Sequence, residues 1–235
     1  MNWKTKVSRE EFAWEEGGRV ALEIEELESL EETIDELFVE LERTGNPALL
    51  EELCPYFGCV WPAARGLTEY LLKHSPERDG AVQILEVGCG LAIPSLALAR
   101  TVRFSRVVAT DFHPEVPAFL ERNLARNPVP NGRFEYRRFD WKHPGAELGR
   151  FGVVIGSDIL YEKNHPAEVA DALIRLVKSG GRIVVADPGR PYLQTFVDEM
   201  RARGYGADPI LVPVVDKKDV LVFDFRKLSA LPQPP

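Results

Sequence analysis

Cysteine is scarce in this chain. Three residues in 235, Cys54, Cys59 and Cys89, are too few to staple a secreted scaffold. Their scarcity points to a reducing compartment, and a cytoplasmic location is expected. Cys54 and Cys59 lack a second Cys or His pair at ligand spacing, so no metal centre is expected. No run of about 18 apolar residues occurs, which leaves no membrane span. The opening stretch, MNWKTKVSREEFAWEEGG, is too charged for a signal peptide. Basic surplus is missing too: the net charge is −8, which offers no case for duplex nucleic acid. Internal repeats are absent.

What is present fits one globular unit with some decoration. The hydrophobic fraction is 45% and the charged fraction 28%, both ordinary for a soluble chain. A monomer is the simplest expectation. The negative charge is uneven. Residues 1–56 hold 16 acids and 5 bases, a balance of −11, whereas the remainder holds 21 acids and 24 bases, a balance of +3. The acidic stretch is either a solvated helix face or a lure for a basic protein.

The N-terminal region, residues 1–56, reads as a mostly helical acidic extension. Ser29 and Glu32 form a capping-box pattern. Leu30, Ile34, Leu37, Phe38 and Leu41 then share one helical face. Thr44-Gly45-Asn46-Pro47 stops that helix, and Asn46 with Pro47 can start a short one. Upstream, Val20, Leu22 and Ile24 alternate with other residues, so a short strand competes with helix there.

From residue 83 strands and helices alternate. QILEV, RVVATD, RFEYRRF, FGVVIGSD and GRIVVADP read as strands. Helices are expected over IPSLALART and over 114–126, 166–177 and 191–203. The segment PILVPVVDKKDVLVFDF reads as a hairpin turning at Asp216-Lys217-Lys218-Asp219. This order predicts an open, mostly parallel α/β sheet with an antiparallel hairpin at its C-terminal end. Residues 57–228 form this unit, and 229–235 is a frayed tail.

Parallel sheets bind ligands beyond the carboxyl ends of their strands. ILEVGCGLAIPSLALA places Gly88 and Gly90 at such an end, just before a helix. Glycine allows tight turning and close backbone approach. An isolated GxG is weak, but its strand-to-helix context favours a ligand turn. A dinucleotide fingerprint would need glycine at Ile93; the pattern here is GxGxA, with Ala92. Asp111 ends the second strand, 21 residues after Gly90. Its carboxylate can accept from both hydroxyls of a ribose, or cap the next helix. Asp140 and Trp141 end the third strand. An aspartate can accept from an exocyclic amine, and an indole can pack on an adenine face. Glu86 either hydrogen-bonds near a ligand or caps the turn. His113, His143 and His165 read as capping or surface residues.

The order VWPAA, LEVGCG, ATD, FDW, GSDILYE resembles the family-16, protein-lysine-methyltransferase-like branch of the seven-strand S-adenosylmethionine-dependent methyltransferases. The resemblance covers roughly residues 58–225. GxG and Asp111 mark the superfamily; DW and DxxY together mark the branch. It implies a Rossmann-like seven-strand sheet and S-adenosyl-L-methionine as methyl donor. Gly88, Cys89 and Gly90, with Glu86 nearby, would line the methionine moiety. Asp111, with Phe112 beside it, would hold the ribose. Asp140 and Trp141 would flank the adenine, Trp61 would close the pocket, and Ser157 would contact the donor through its backbone. Asp158 and Tyr161 would face the acceptor and act in catalysis. A lysine amine must be neutral to be methylated, and its ordinary pKa is about 10.4. Asp158 is assigned positioning rather than general-base duty, because its charge favours the protonated amine. The expected function is methyl transfer to an acceptor nitrogen, foremost a protein lysine. A small-molecule acceptor, or a non-catalytic binding module of the same fold, are the alternatives. Every donor motif lies at or after Trp61, so a chain lacking residues 1–45 is expected to keep the donor site.

Overall fold

A computed structural model describes residues 3–14, 17–51, 53–74, 82–101, 106–142, 148–214 and 219–228. His143, most of the expected 216–219 turn and the 229–235 tail lie outside the described residues.

Five strands carry the parallel part of the sheet: β3 (Gln83–Val87), β4 (Arg106–Asp111), β5 (Phe134–Arg138), β6 (Phe151–Ser157) and β7 (Val177–Asp187). Three antiparallel pieces complete it: β8 (Tyr205–Gly206), β9 (Pro209–Val212) and β10 (Val220–Lys227). The order is β5-β4-β3-β6-β7-β10, and both β8 and β9 pair with β10. β8 and β9 together form the seventh position of the sheet, interrupted at residues 207–208. Chain direction out of β3 reverses the order of filling: β4 and β5 lie on one side, β6 and β7 on the other. The gap above β3 and β6 is therefore the topological switch point, where such sheets bind ligands.

Helices cover both faces: α3 (Pro62–His74), α4 (Ile93–Arg100) and α5 (Val116–Arg126) on one, α6 (His165–Leu176) and α7 (Leu193–Ala202) on the other. Side chains alternate along each strand, so each face needs its own apolar set. Ile84, Val107, Ala109, Val153, Ile155 and Val184 join the α3–α5 core. Leu85, Val87, Val108, Val154, Ile183 and Val185 join the α6–α7 core.

The N-terminal region corrects the sequence reading. Residues expected to be mostly helical form a β-hairpin, β1 (Thr5–Trp14) and β2 (Gly18–Leu27), followed by α1 (Leu30–Thr44) and the short α2 (Ala48–Glu51). Glutamate and leucine in β2 favour helix, but Val20, Leu22 and Ile24 alternate, and that face is buried with Phe12. Helix α5 then holds the free edge of β2. The Asn123 and Asn127 side chains each bond a backbone N–H and C=O, those of Glu25 and Glu23 respectively, as a neighbouring strand would. Glu25 is buried and meets Arg122 at 2.7 Å and Arg126 at 3.0 Å.

Helix α1 starts as expected. The Glu32 N–H donates to Ser29 Oγ at 3.2 Å, and Gly45 closes the helix in the left-handed region at φ 67°. Asn46 Oδ1 caps α2 by accepting from Ala48 N at 3.2 Å. Of the expected apolar face, Leu37 is buried, but Phe38 is half exposed.

Candidate functional site

The turn after β3 is shaped by three left-handed residues in five: Gly88 at φ 64°, Gly90 at φ 50° and Ala92 at φ 55°. A Cβ on Gly90 would stand 2.9 Å from the Phe57 carbonyl oxygen; one on Gly88 would stand 2.8 Å from Ile159 Cγ2. Both positions are therefore confined to glycine by shape as well as by φ. Asp111, buried at the end of β4, ties the turn to its neighbour. Its Oδ2 accepts from Gly90 N at 2.9 Å, and its Oδ1 from His113 N at 3.0 Å. Burial raises the Asp111 carboxyl pKa, and these two N–H donors oppose the rise.

Beneath the turn, Glu86 is fully buried. Ser95 donates to its Oε2 from the hydroxyl and, at 3.1 Å, from the backbone N–H. Its Oε1 has no hydrogen-bond partner. Burial pushes the carboxyl up to about 8. In the unfolded chain the group releases its proton near 4.5. Between those values the folded state holds the extra proton, so stability falls as pH rises. Relative to Glu86→Gln, the natural protein should lose stability steadily from about pH 5 to about pH 8. Urea titrations of both at pH 5, 6.5 and 8 check this, and parallel curves would place the Glu86 charge elsewhere.

The other expected donor residues surround the turn. Phe112 is half-buried, and its carbonyl accepts from Arg138 Nε at 3.2 Å. Asp140 is half-buried, with Oδ1 accepting from Lys142 N at 2.8 Å. Trp141 is buried behind Gly88, edge-on to His165 at 5.3 Å, and its Nε1 is unpartnered. Trp61 stands at the start of α3 and donates from Nε1 to the Tyr56 carbonyl at 2.8 Å. Cys89 is buried in the turn, and burial raises its thiol pKa.

Two features were not read from sequence. The first is a 3-10 turn, Tyr56–Gly58, laid across the glycine turn. Its Phe57 ring lies 4.3 Å from the His113 ring. Glu115 N donates to His113 Nδ1 at 3.2 Å, so Nε2 carries the proton and donates to the Leu53 carbonyl at 3.2 Å. Burial lowers the His113 pKa, which favours this neutral form. His113 thus fastens residues 53–58 over the site.

The second feature is Arg190. Beyond β6, Ser157 is half-buried and Asp158 adopts φ 57°, rare for a residue with a Cβ. Asp158 N donates to the Ala186 carbonyl at 2.9 Å, and Asp158 Oδ1 accepts from Arg190 Nε. Tyr161 is 37% exposed, with its ring 4.6 Å from His165 and 6.3 Å from Tyr56. Burial, with Asp111, Glu162 and Asp158 nearby, raises its phenol pKa, and Arg190 opposes the rise. His165 Nδ1 lies 3.0 Å from the Ile159 carbonyl and Nε2 3.2 Å from Glu162. The Arg190 signal was Asp187-Pro188-Gly189-Arg190: an acid and a glycine at a strand end, as at the first turn.

The two glycines, Asp111, Asp158 and Tyr161 gather at the carboxyl ends of β3, β4 and β6, with Glu86 buried beneath them. A sheet of this order with a glycine turn and a strand-end carboxylate at its switch point defines a methyltransferase-like α/β fold. Solved structures share that fold: a ribosomal protein L11 methylase from Lactobacillus delbrueckii subsp. bulgaricus gives a TM-score of 0.54 at 14% identity, covering 72% of this chain and 77% of that one. The family profile described as lysine methyltransferase matches residues 54–202, and the chain belongs to that family. The family's methyl donor is S-adenosylmethionine. A calmodulin-lysine N-methyltransferase of Arabidopsis thaliana is 28% identical over 125 residues, 52% of this chain and 41% of that protein. A protein N-terminal and lysine N-methyltransferase of Candida albicans is 26% identical over 159 residues, 59% of this chain and 60% of that protein. The chain spans about half the length of the curated relatives it matches.

Among the described residues, no group of three or more His, Cys, Asp or Glu could hold a metal ion. No described helix is long and apolar enough to cross a membrane.

Proposed function

We propose that this protein methylates the side-chain nitrogen of a protein lysine with S-adenosylmethionine as donor, in the cytoplasm. The observation that carries the reading is the convergence at the switch point. A glycine turn tied to Asp111 lies on the β3 side, Asp158 and Tyr161 lie on the β6 side, and Tyr56 reaches Tyr161 from the turn laid across the glycines.

The residues present fit the donor. Gly88 and Gly90 offer backbone without side chains, and Asp111 stands one strand away, 21 residues after Gly90. The unpartnered Glu86 Oε1 and Trp141 Nε1 leave an acceptor and a donor unused beside the turn. Gly88, Cys89 and Gly90 would hold the methionine moiety, with Glu86 toward its amino end. Asp111 and Phe112 would hold the ribose, Asp140 and Trp141 would flank the adenine, and Ser157 would contact the donor through its backbone. Trp61 would close the site through the 56–58 turn. When bound, the donor supplies a methyl group on a cationic sulfur, open to in-line displacement by a neutral amine.

The chain's own residues orient the amine. Asp158 binds the lysine head as it passes the Tyr56 and Tyr161 rings, which lie together 6.3 Å apart and suit an alkylammonium. The Tyr161 hydroxyl stays protonated, because its pKa is raised, and steers the nitrogen lone pair. The names of the relatives favour a protein acceptor over a small molecule.

The test separates binding from turnover. Asp158→Ala and Tyr161→Phe should bind S-adenosylhomocysteine within a few-fold of the natural protein. Their label transfer from tritiated donor to lysate protein should fall at least tenfold, the loss of about 1.4 kcal/mol of positioning. Parallel loss of donor affinity would reassign both residues to the donor pocket.

A further inference from the structure

The loop after β7 places a cation against the carboxylate that meets the acceptor. We propose that Arg190 is a positioning residue for methyl transfer: it neutralises Asp158, so that a lysine bound beside that carboxylate can give up its proton to solvent before its nitrogen takes the methyl group and S-adenosylhomocysteine leaves. This rests on the lysine reading above.

Asp158 alone would be a poor neighbour for a nucleophilic amine. Its side chain is only 5% exposed, so its charge is weakly screened. An unpaired carboxylate there would hold the ammonium form and resist its deprotonation. The structure sets a guanidinium on it instead. Arg190 Nε donates to Asp158 Oδ1, and a guanidinium stays charged across the working pH range. The guanidinium thus sets a positive charge directly against the carboxylate.

Arg190 is held for this contact from behind. Asp187 Oδ1 accepts from Gly189 N at 2.7 Å and from Arg190 N at 2.6 Å, while Gly189 takes φ 90°. Asp187 is fully buried, and its Oδ2 has no hydrogen-bond partner. The anchor thus fixes the Arg190 backbone, and the left-handed Asp158 brings the carboxylate to the Arg190 head.

The surrounding charges make the need sharper. Asp187 and Asp158 both act on Arg190; Asp111 and Glu162 act with Asp158 on Tyr161. All four carboxylates favour the ammonium form of an amine beside Asp158. Arg190 is set against them, and its charge also acts on Tyr56 and Tyr161. Lys142 pairs with Glu162 at 2.9 Å, and Glu162 lies against His165. The Arg190 side chain is 31% exposed, so an incoming acceptor can meet it while it holds Asp158.

The test is a pH–rate series. Tritium transfer from saturating S-adenosylmethionine into the proteins of a whole-cell lysate is measured from pH 6 to pH 10. Natural protein, Arg190→Gln, Arg190→Lys and the double variant Asp158→Asn with Arg190→Gln are compared. Arg190→Gln should move the acid limb up by about one pH unit, a roughly tenfold lower rate below the limb. The lysate concentration giving half-maximal rate should not rise, because the bared carboxylate binds ammonium better. Arg190→Lys should keep the limb near its natural position. In the double variant both charges are gone, and the limb should return. Thermal melts and S-adenosylhomocysteine titrations accompany each variant. If Arg190→Gln does not fold, the lysine and double variants carry the test. An unmoved limb in Arg190→Gln, or no return in the double variant, would overturn the role of Arg190. If the natural protein labels no lysate protein, the lysine reading falls and takes this inference with it.

Discussion

Replacing Gly90 with valine should abolish measurable binding of S-adenosylhomocysteine. Gly90 sits at φ 50°, where a residue with a Cβ loses about 1–2 kcal/mol. The larger effect is contact. Even a Cβ would stand 2.9 Å from the Phe57 carbonyl oxygen, and that oxygen belongs to backbone. Phe57 cannot withdraw freely, because its ring packs on His113 and Phe119. Valine adds two methyl groups in the same direction. The turn must therefore open, and Gly90 N must leave Asp111. Loss of more than 100-fold in affinity is expected by calorimetry, about 2.7 kcal/mol or more. A variant that binds like the natural protein would remove the glycine turn from the donor site.

Removing residues 1–45 should cost the fold. This reverses the expectation drawn from motif positions, under which the remaining chain would still bind donor. Phe12, Val20, Leu22, Ile24 and Leu27 are buried in the core that α3, α4 and α5 share. At about 1.5–3 kcal/mol for each buried side chain, their loss is on the order of 10 kcal/mol. Whole domains have a net stability of only about 5–15 kcal/mol. Deletion also leaves Asn123 and Asn127, both buried, without the β2 backbone, and Arg65 without Glu10. The truncated chain should show no cooperative thermal transition. A sharp melt with donor affinity kept would show that the hairpin only decorates the fold.

The same hairpin shows what the sequence could not display. From residue 83 both sheet faces are apolar and the turns carry Gly, Asp and Pro, so the β/α order is visible in one strand at a time. Residues 5–27 lack that clarity. Glutamates at 23, 25 and 26 look like a solvated helix face until Arg122 and Arg126 are seen to meet Glu25. Part of the acidic surplus is thus engaged within the fold and unavailable to steer an acceptor. At the site, the residues local to one strand end were readable: Gly88, Gly90, Asp111, Asp158 and Tyr161. Tyr56 and Arg190 were not, since each reaches the site only through the packing of distant segments. Trp141 was readable as an aromatic at the third strand end, but its burial behind Gly88 depends on Ile159 and His165.

The central claim is transfer to a lysine nitrogen, and the hydrolysate of labelled protein tests it most directly. The full chain is incubated with tritiated S-adenosylmethionine and a whole-cell lysate. Protein is then separated by size, the labelled band is hydrolysed in acid, and the amino acids are resolved. The account predicts that tritium elutes with Nε-methylated lysines and that Asp158→Ala loses this peak while still binding S-adenosylhomocysteine. Tritium confined to small molecules, or eluting with another amino acid, would contradict it.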